Sequence, residues 1–252
     1  KCVEPVPHIP EEVIRRIISA EKKDKSDVTI VEIGGTLGEY QSVMFLEAAR
    51  LLKIAHPDDV LFVLVSYLPV PGKLGEMKTK PTQYAVRTMN SYGVQPDIII
   101  ARAAVPLDRR RKEKIAASSG MKPEQVISAP DVDNVYDVPL NFEKDHLTEI
   151  AMKILKLKAR KRTHALLPWK GFIRKTNNAK GIVRIGIVGK YFSTGDFVLA
   201  DSYLSVIEAV KYAAFHVGKK PVIEWLAAEE FDPPARTTRA GGKKANIAKL
   251  KK

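Results

Sequence analysis

Val28-Thr29-Ile30-Val31-Glu32-Ile33-Gly34-Gly35-Thr36-Leu37-Gly38-Glu39 is the stretch on which the reading of this chain turns. It opens as an apolar, β-branched run, the pattern of a strand buried on both faces. Glu32 stands just before its end, and two glycines, a threonine and a third glycine follow before an amphipathic helix. A strand that ends in an acid and a glycine-rich turn can build a phosphate and metal site. The carboxylate supplies a hard oxygen ligand for Mg2+. Glycines let backbone N–H groups approach phosphate oxygens with no Cβ in the way. The competing reading is a structural strand end whose carboxylate is satisfied locally.

Working outward, prolines at 5, 7 and 10 predict an extended segment that includes His8. Val13, Ile14, Ile17 and Ile18 then predict a helix over 11–21. Beyond the glycine turn, Val43, Met44, Leu46, Ala48, Leu51 and Leu52 mark an amphipathic helix ending before Pro57. Strands are predicted over 60–68, 97–101 and 125–128, with a basic helix over 107–118. A helix is expected over 147–157, followed by a basic linker. A second unit starts with a strand and turn over 182–191, a helix over 198–215 and a strand over 221–226. Alternation of strands and helices argues for an α/β fold with a parallel sheet. In such sheets ligands lie beyond the carboxyl ends of the strands, where Glu32, Arg102 and the turn at Pro130 all fall.

Lys78-Thr79-Lys80-Pro81-Thr82-Gln83 has a distinct physical use. Pro81 suits the first turn of a helix, where its missing N–H costs nothing. Lys78 and Lys80 then lead a helix N-terminus that already favours an anion. Together they make a triphosphate clamp, with Thr82 and Gln83 able to read a base or ribose edge. A solvated basic loop is the plainer alternative. Gly189-Lys190 imitates a phosphate-binding loop, but Arg184 stands where its upstream glycine belongs and Tyr191 where Ser or Thr belongs.

Composition narrows the class. The 252 residues carry a formal net charge of +13. Basic residues crowd 153–180 and 236–252, and the latter reads as a disordered tail. No aromatic residue interleaves the tail's charges, so specific nucleic-acid binding is not expected. No membrane span or signal peptide is visible. The single cysteine, Cys2, forbids an internal disulfide and agrees with a reducing, cytoplasmic setting.

Taken in order, Pro7-His8-Ile9, residues 31–36, residues 78–83, Gln95-Pro96-Asp97-Ile98-Ile99, Lys114-Ile115-Ala116, Asp131-Val132-Asp133 and Ile187-Val188-Gly189-Lys190-Tyr191 resemble the CTP synthase family across most of residues 1–230. The resemblance implies a P-loop-NTPase-like synthase (amidoligase) domain, incomplete here, over 1–140. A helix and basic linker over 141–181 would follow, then the start of a class I glutamine amidotransferase domain over 182–232 and a tail over 233–252. It implies ATP-dependent amidation of UTP to CTP with ammonia from glutamine, Mg2+ as cofactor, CTP as inhibitor, GTP as activator and a homotetramer.

By position, the resemblance makes Glu32 a Mg2+ ligand. Glu39, Tyr40, Gln41, Lys78, Thr79, Lys80, Pro81, Thr82, Gln83 and Lys114 match the pyrimidine nucleotide site, partly across a subunit interface. Arg102, Pro130, Asp131 and Val132 match positions near ATP. Tyr40 and Gln41 depart from the family's Asp-Ile-Glu segment, and Pro130 replaces a usual lysine. Neither the family's phosphate loop nor its glutaminase triad is found, so this segment alone is expected to be inactive and to hold no catalytic residue. The alternative is a non-catalytic nucleotide-binding or assembly protein derived from such an enzyme.

Overall fold

A computed structural model describes residues 4–72, 75–158, 166–190, 193–194, 197–198 and 203–228. Cys2 and the tail over 233–252 lie outside the described residues. The chain forms two compact units, Lys1–Thr163 and His164–Lys252.

The first unit is built on three parallel strands, β1 (Val63–Tyr67), β2 (Ile98–Ala103) and β3 (Val126–Pro130), in that order. Val63 faces Ile98, and Ile99 faces Val126. Of the helices outside that sheet, α1 (His8–Asp24) packs on α2 (Tyr40–Ala55), while α3 (Lys80–Ser91) joins β1 to β2 and α4 (Arg109–Ser119) joins β2 to β3. Strand β2 is apolar on both faces because it is the central strand; Ile98, Ile99, Ala101 and Ala103 are fully buried. One face meets Val86 and Met89 of α3 and Ile115 and Ala116 of α4, with Met77 and Leu107 closing the same cluster. Removing each of the large side chains from water contributes about 1.5–3 kcal/mol. On the other face α5 (Val138–Lys144) covers β3, whereas Val63, Val65 and Tyr67 of β1 are exposed. Helix α6 (Leu147–Ile154) completes the unit.

Chain punctuation agrees with local chemistry. Pro81 lies in the first turn of α3, and Gly93, at φ 73°, follows its end. Asp108 caps α4 by accepting from the Arg111 N–H at 2.7 Å. Asp97 accepts from the Phe62 N–H at 2.8 Å and so fixes the start of β2 against the approach to β1.

Three expectations are corrected. Residues 28–33 form no strand: the segment is irregular, pairs with no strand among the described residues, and leaves Ile30 92% exposed. Its composition suits a buried strand, but a strand needs a neighbour for its N–H and C=O groups, and here none lies alongside. The prolines near the N-terminus do not keep 8–10 extended; α1 begins at His8, and Pro10 occupies its first turn, where no intrahelical N–H donor is required. Within the expected basic linker lies α7 (Leu166–Asn177), a helix that buries Ile173 and Thr176. The linker residues 159–165 lie outside the described set.

The second unit contains α7, the parallel pair β4 (Ile182–Gly189) and β7 (Lys220–Ala227), the short antiparallel pair β5 (Ser193–Thr194) and β6 (Phe197–Val198), and α8 (Leu204–His216). Helix α8 packs on β7, giving a strand–helix–strand unit. The Phe172 ring of α7 stacks on Tyr212 of α8 at 5.6 Å, and Tyr203 meets Trp225 of β7 edge-on at 5.9 Å. Parallel pairing appears in both units, as the alternating pattern requires.

Candidate functional site

Three groups of the residues singled out above come together separately. The first surrounds the glycine turn. Glu32, Ile33, Gly34, Gly35, Glu39 and Gln41 line a half-open cavity of about 320 Å³, with Ser42 and Phe45 at the start of α2 also on its wall. Gly35 has φ 87°, and a Cβ there would lie 2.7 Å from Glu39 Oε2. Glycine is favoured there by the left-handed backbone; the Glu39 carboxylate is the end of a flexible side chain and could swing aside. Although the strand is missing, Glu32 still shares a cavity with Glu39 and Gln41. Tyr40, 97% exposed, does not line it.

That donor set fits magnesium. The ion takes one or two carboxylates and completes its shell with water and phosphate oxygens. Glu32 and Glu39 would supply the carboxylates, and the cavity is at the small end for a ligand site. Among the described residues no group of three or more His, Cys, Asp or Glu side chains is placed to hold a metal without such help. On the far side of Phe45 a second cavity, of about 360 Å³, is lined by His8, Ile9, Glu12, Val13 and Arg16.

The second group is cationic. Lys78 donates to Glu76 Oε2 at 2.6 Å. That hydrogen bond, with the charges of Lys78, Arg111 and Lys114, holds the Glu76 carboxyl below its usual range. Lys78 from the loop pairs with this carboxylate, and the charges of Arg111 and Lys114 from α4 act on it. Lys80 is exposed at the first residue of α3, and Pro81 beside it is exposed too. Thr82 and Gln83 are placed differently from the sequence expectation. Thr82 is fully buried, its hydroxyl 2.9 Å from that of Ser66 on β1, and Gln83 Nε2 reaches back to Thr79 Oγ1 at 3.4 Å. Thr79 is buried as well. These side chains shape the helix start and turn their polar atoms inward. No residue of 78–83 lines the cavity at Glu32.

The third group sits at the carboxyl ends of β2 and β3. Arg102 pairs with Asp131 at 3.5 Å, and the Asp131 N–H donates to the Ala103 carbonyl at 2.9 Å. Arg102 O accepts from the Leu68 N–H at 2.7 Å, so the end of β1 is tied in. Pro130, Asp131 and half-buried Val132 follow directly from β3.

Some residues that organise these groups escape a motif reading. Asp145 accepts from Lys112 Nζ and from the Ser128 N–H, both at 2.6 Å, and so locks α4 to β3. Nothing in the sequence flags it, since its partners lie 33 and 17 residues away. Glu76 and Arg111 could have been found: Glu76 stands two residues before Lys78, and Arg111 one helical turn before Lys114.

Parallel sheets, an acid and glycine-lined cavity and a cationic loop leading a helix define an α/β protein with a site suited to a phosphorylated ligand and a hard metal ion. The family described as "CTP synthase N-terminus" matches residues 1–157. The protein named CTP synthase from Carboxydothermus hydrogenoformans is 41% identical over 231 residues, 91% of this chain and 42% of that protein. Those from Staphylococcus epidermidis and Methanococcus maripaludis are 38% and 39% identical, over 91% and 92% of this chain and 42% of each relative. The chain belongs to the CTP synthase family. It spans about two fifths of the length of the curated relatives it matches. A match of 231 residues cannot fit within residues 1–157, so the similarity continues into the second unit. No helix among the described residues is long and apolar enough to cross a membrane.

Proposed function

We propose that this chain is the pyrimidine nucleotide-handling part of a CTP synthase, a ligase that makes CTP from UTP, ATP and ammonia released from glutamine. The observation that carries the reading is the meeting of Glu32, Gly34, Gly35, Glu39 and Gln41 around one cavity in a chain of this family. In this reading Glu32 and Glu39 hold Mg2+, which supplies charge neutralisation to the phosphates when bound. Lys78, Lys80 and Lys114 balance the triphosphate of UTP, or of CTP as inhibitor. Thr79, Pro81, Thr82 and Gln83 set the course of that loop into α3, and Tyr40 lies beside the cavity on the solvent side. Arg102, Pro130, Asp131 and Val132 border ATP.

The reaction balances as two transfers. The O4 of UTP attacks the γ-phosphorus of ATP, and ADP leaves. Ammonia then attacks C4, and the bond from C4 to the phosphorylated oxygen breaks to release phosphate and CTP. The Glu32 cavity and residues 78–83 do not share a lining, and in this reading the site is completed across a subunit boundary of a homotetramer. Strand β4, helix α8 and strand β7 are then the start of the glutamine amidotransferase domain, with GTP as activator of the whole enzyme, in the cytoplasm.

The test is stabilisation by UTP and Mg2+ in a thermal melt. Wild type should gain several degrees, Lys80→Ala should gain less, and Glu32→Gln should lose the Mg2+-dependent part. Equal shifts in all three proteins would refute the assignment.

A further inference from the structure

Within the cationic group, the arrangement of Glu76 and Arg111 has a consequence of its own. Met77 is buried in the same cluster as Ile115 and Ala116. Its anchoring places its neighbours Glu76 and Lys78 beside the part of α4 that carries Lys114 and, one turn earlier, Arg111. The loop is held there by the Lys78 N–H donating to the Pro69 carbonyl at 2.9 Å and the Gly75 N–H to the Pro71 carbonyl at 3.0 Å. Arg111 is held too: Asp108 accepts from its backbone N–H at 2.7 Å and from its guanidinium. Glu76 therefore pairs with Lys78 at 2.6 Å and feels the charges of Arg111 and Lys114 from α4, while the Arg111 guanidinium also holds Asp108.

We propose that Arg111 completes a triphosphate cradle with Lys78 and Lys114, and that Glu76 fills this cradle as an internal counter-anion which an incoming triphosphate displaces. The inference rests on reading Lys78 and Lys114 as triphosphate ligands. A carboxylate with one negative charge holds the lysine in place without competing strongly. A triphosphate carries more charge and offers oxygens to all three cations at once. The exposed Glu76–Lys78 pair has the small strength of a surface ion pair, so it lowers affinity without abolishing it. A site guarded in this way favours triphosphates over mono- and diphosphates, because only the longer chain replaces Glu76 and still reaches Arg111.

Calorimetric titration with inorganic tripolyphosphate and with UTP, on the full chain at two salt concentrations, tests this. Arg111→Gln should bind both ligands about three- to ten-fold more weakly, with the dependence of log Kd on log salt shallower by about one. Arg111→Lys should recover most of the loss. Glu76→Gln should bind about two- to five-fold more tightly, the gain expected on removing an exposed competing pair. In a Lys78→Gln background the same Glu76 change should give a smaller gain, since Arg111 and Lys114 remain for Glu76 to compete over. An unchanged affinity and salt slope in Arg111→Gln, or no gain in Glu76→Gln, would overturn the proposal while leaving triphosphate binding intact. If neither ligand binds wild type or any variant, the triphosphate site itself falls, and this inference with it.

Discussion

Thr82 shows how one side chain can be misplaced by a motif. Its neighbours in 78–83 are cations, so its hydroxyl looks like a ligand group, yet it is fully buried and bonded to Ser66. Thr82→Val should leave the Ser66 hydroxyl without that partner and lower unfolding free energy by about 1–2 kcal/mol, measured by chemical denaturation. Thr82→Ser should be milder. Glu12 gives a second residue-scale prediction. Its side-chain hydrogen bonds from Arg15 and Arg16 lower its carboxyl from the ordinary 4.5 to about 2. A carboxyl whose folded pKa is depressed adds stability above its unfolded pKa and loses it as pH falls through the folded value. The contribution of Glu12 to α1 should therefore fade between pH 4.5 and about 2. Glu12→Gln should remove that part of the acid dependence of helicity, followed by circular dichroism.

At the scale of elements, what was legible in the sequence was whatever a local rule decides. Pro81 opens α3, Gly93 closes it, and the run Ile98-Ile99-Ile100 makes the central strand β2. Those signals are complete within a few residues. Residues 28–33 carry an equally clear strand signal, but an apolar, β-branched run reports a capacity for burial and says nothing about whether a neighbouring strand is present. Helix α7 failed to show for the opposite reason: Pro168, Gly171 and its basic residues hide the buried positions Ile173 and Thr176. For the candidate site, Glu32 was singled out through type and spacing, and Glu39 and Gln41 through the family resemblance; all three line one cavity. Asp145 was not, because contacts separated by 17 and 33 residues leave no mark on local pattern. Hydrogen exchange distinguishes the two strand-like segments. Amides of β2 should be protected to near the global unfolding limit, whereas those of 28–33 should exchange at nearly random-coil rates. Protection at 28–33 equal to that of β2 would contradict the unpaired state.

For the whole molecule, the two units differ in how much core they own. The first has a cluster centred on Ile99, Ile115 and Val126. The second, among the described residues, has a two-stranded parallel sheet with α8 packed on β7 and α7 stacked on α8, a smaller core than the first. Both tryptophans, Trp169 and Trp225, lie in the second unit. Tryptophan emission consequently follows that unit alone, while far-ultraviolet circular dichroism follows both. The emission midpoint in urea should come first, and the two curves should not coincide. Coincident curves would mean that the units unfold as one.

The unpaired ribbon at 28–33 also governs how this chain behaves in concentrated solution. Backbone donors and acceptors that pair with no strand among the described residues, flanked by exposed Val28, Ile30 and Val31, are a template for another copy's ribbon. Like charges of +13 per molecule keep such templates apart at low ionic strength. Added salt shortens the reach of that repulsion, to about 10 Å at 0.1 M. Turbidity should accordingly grow with salt as well as with protein concentration, while the folded core remains intact. A low-salt buffer is what would keep the solution clear.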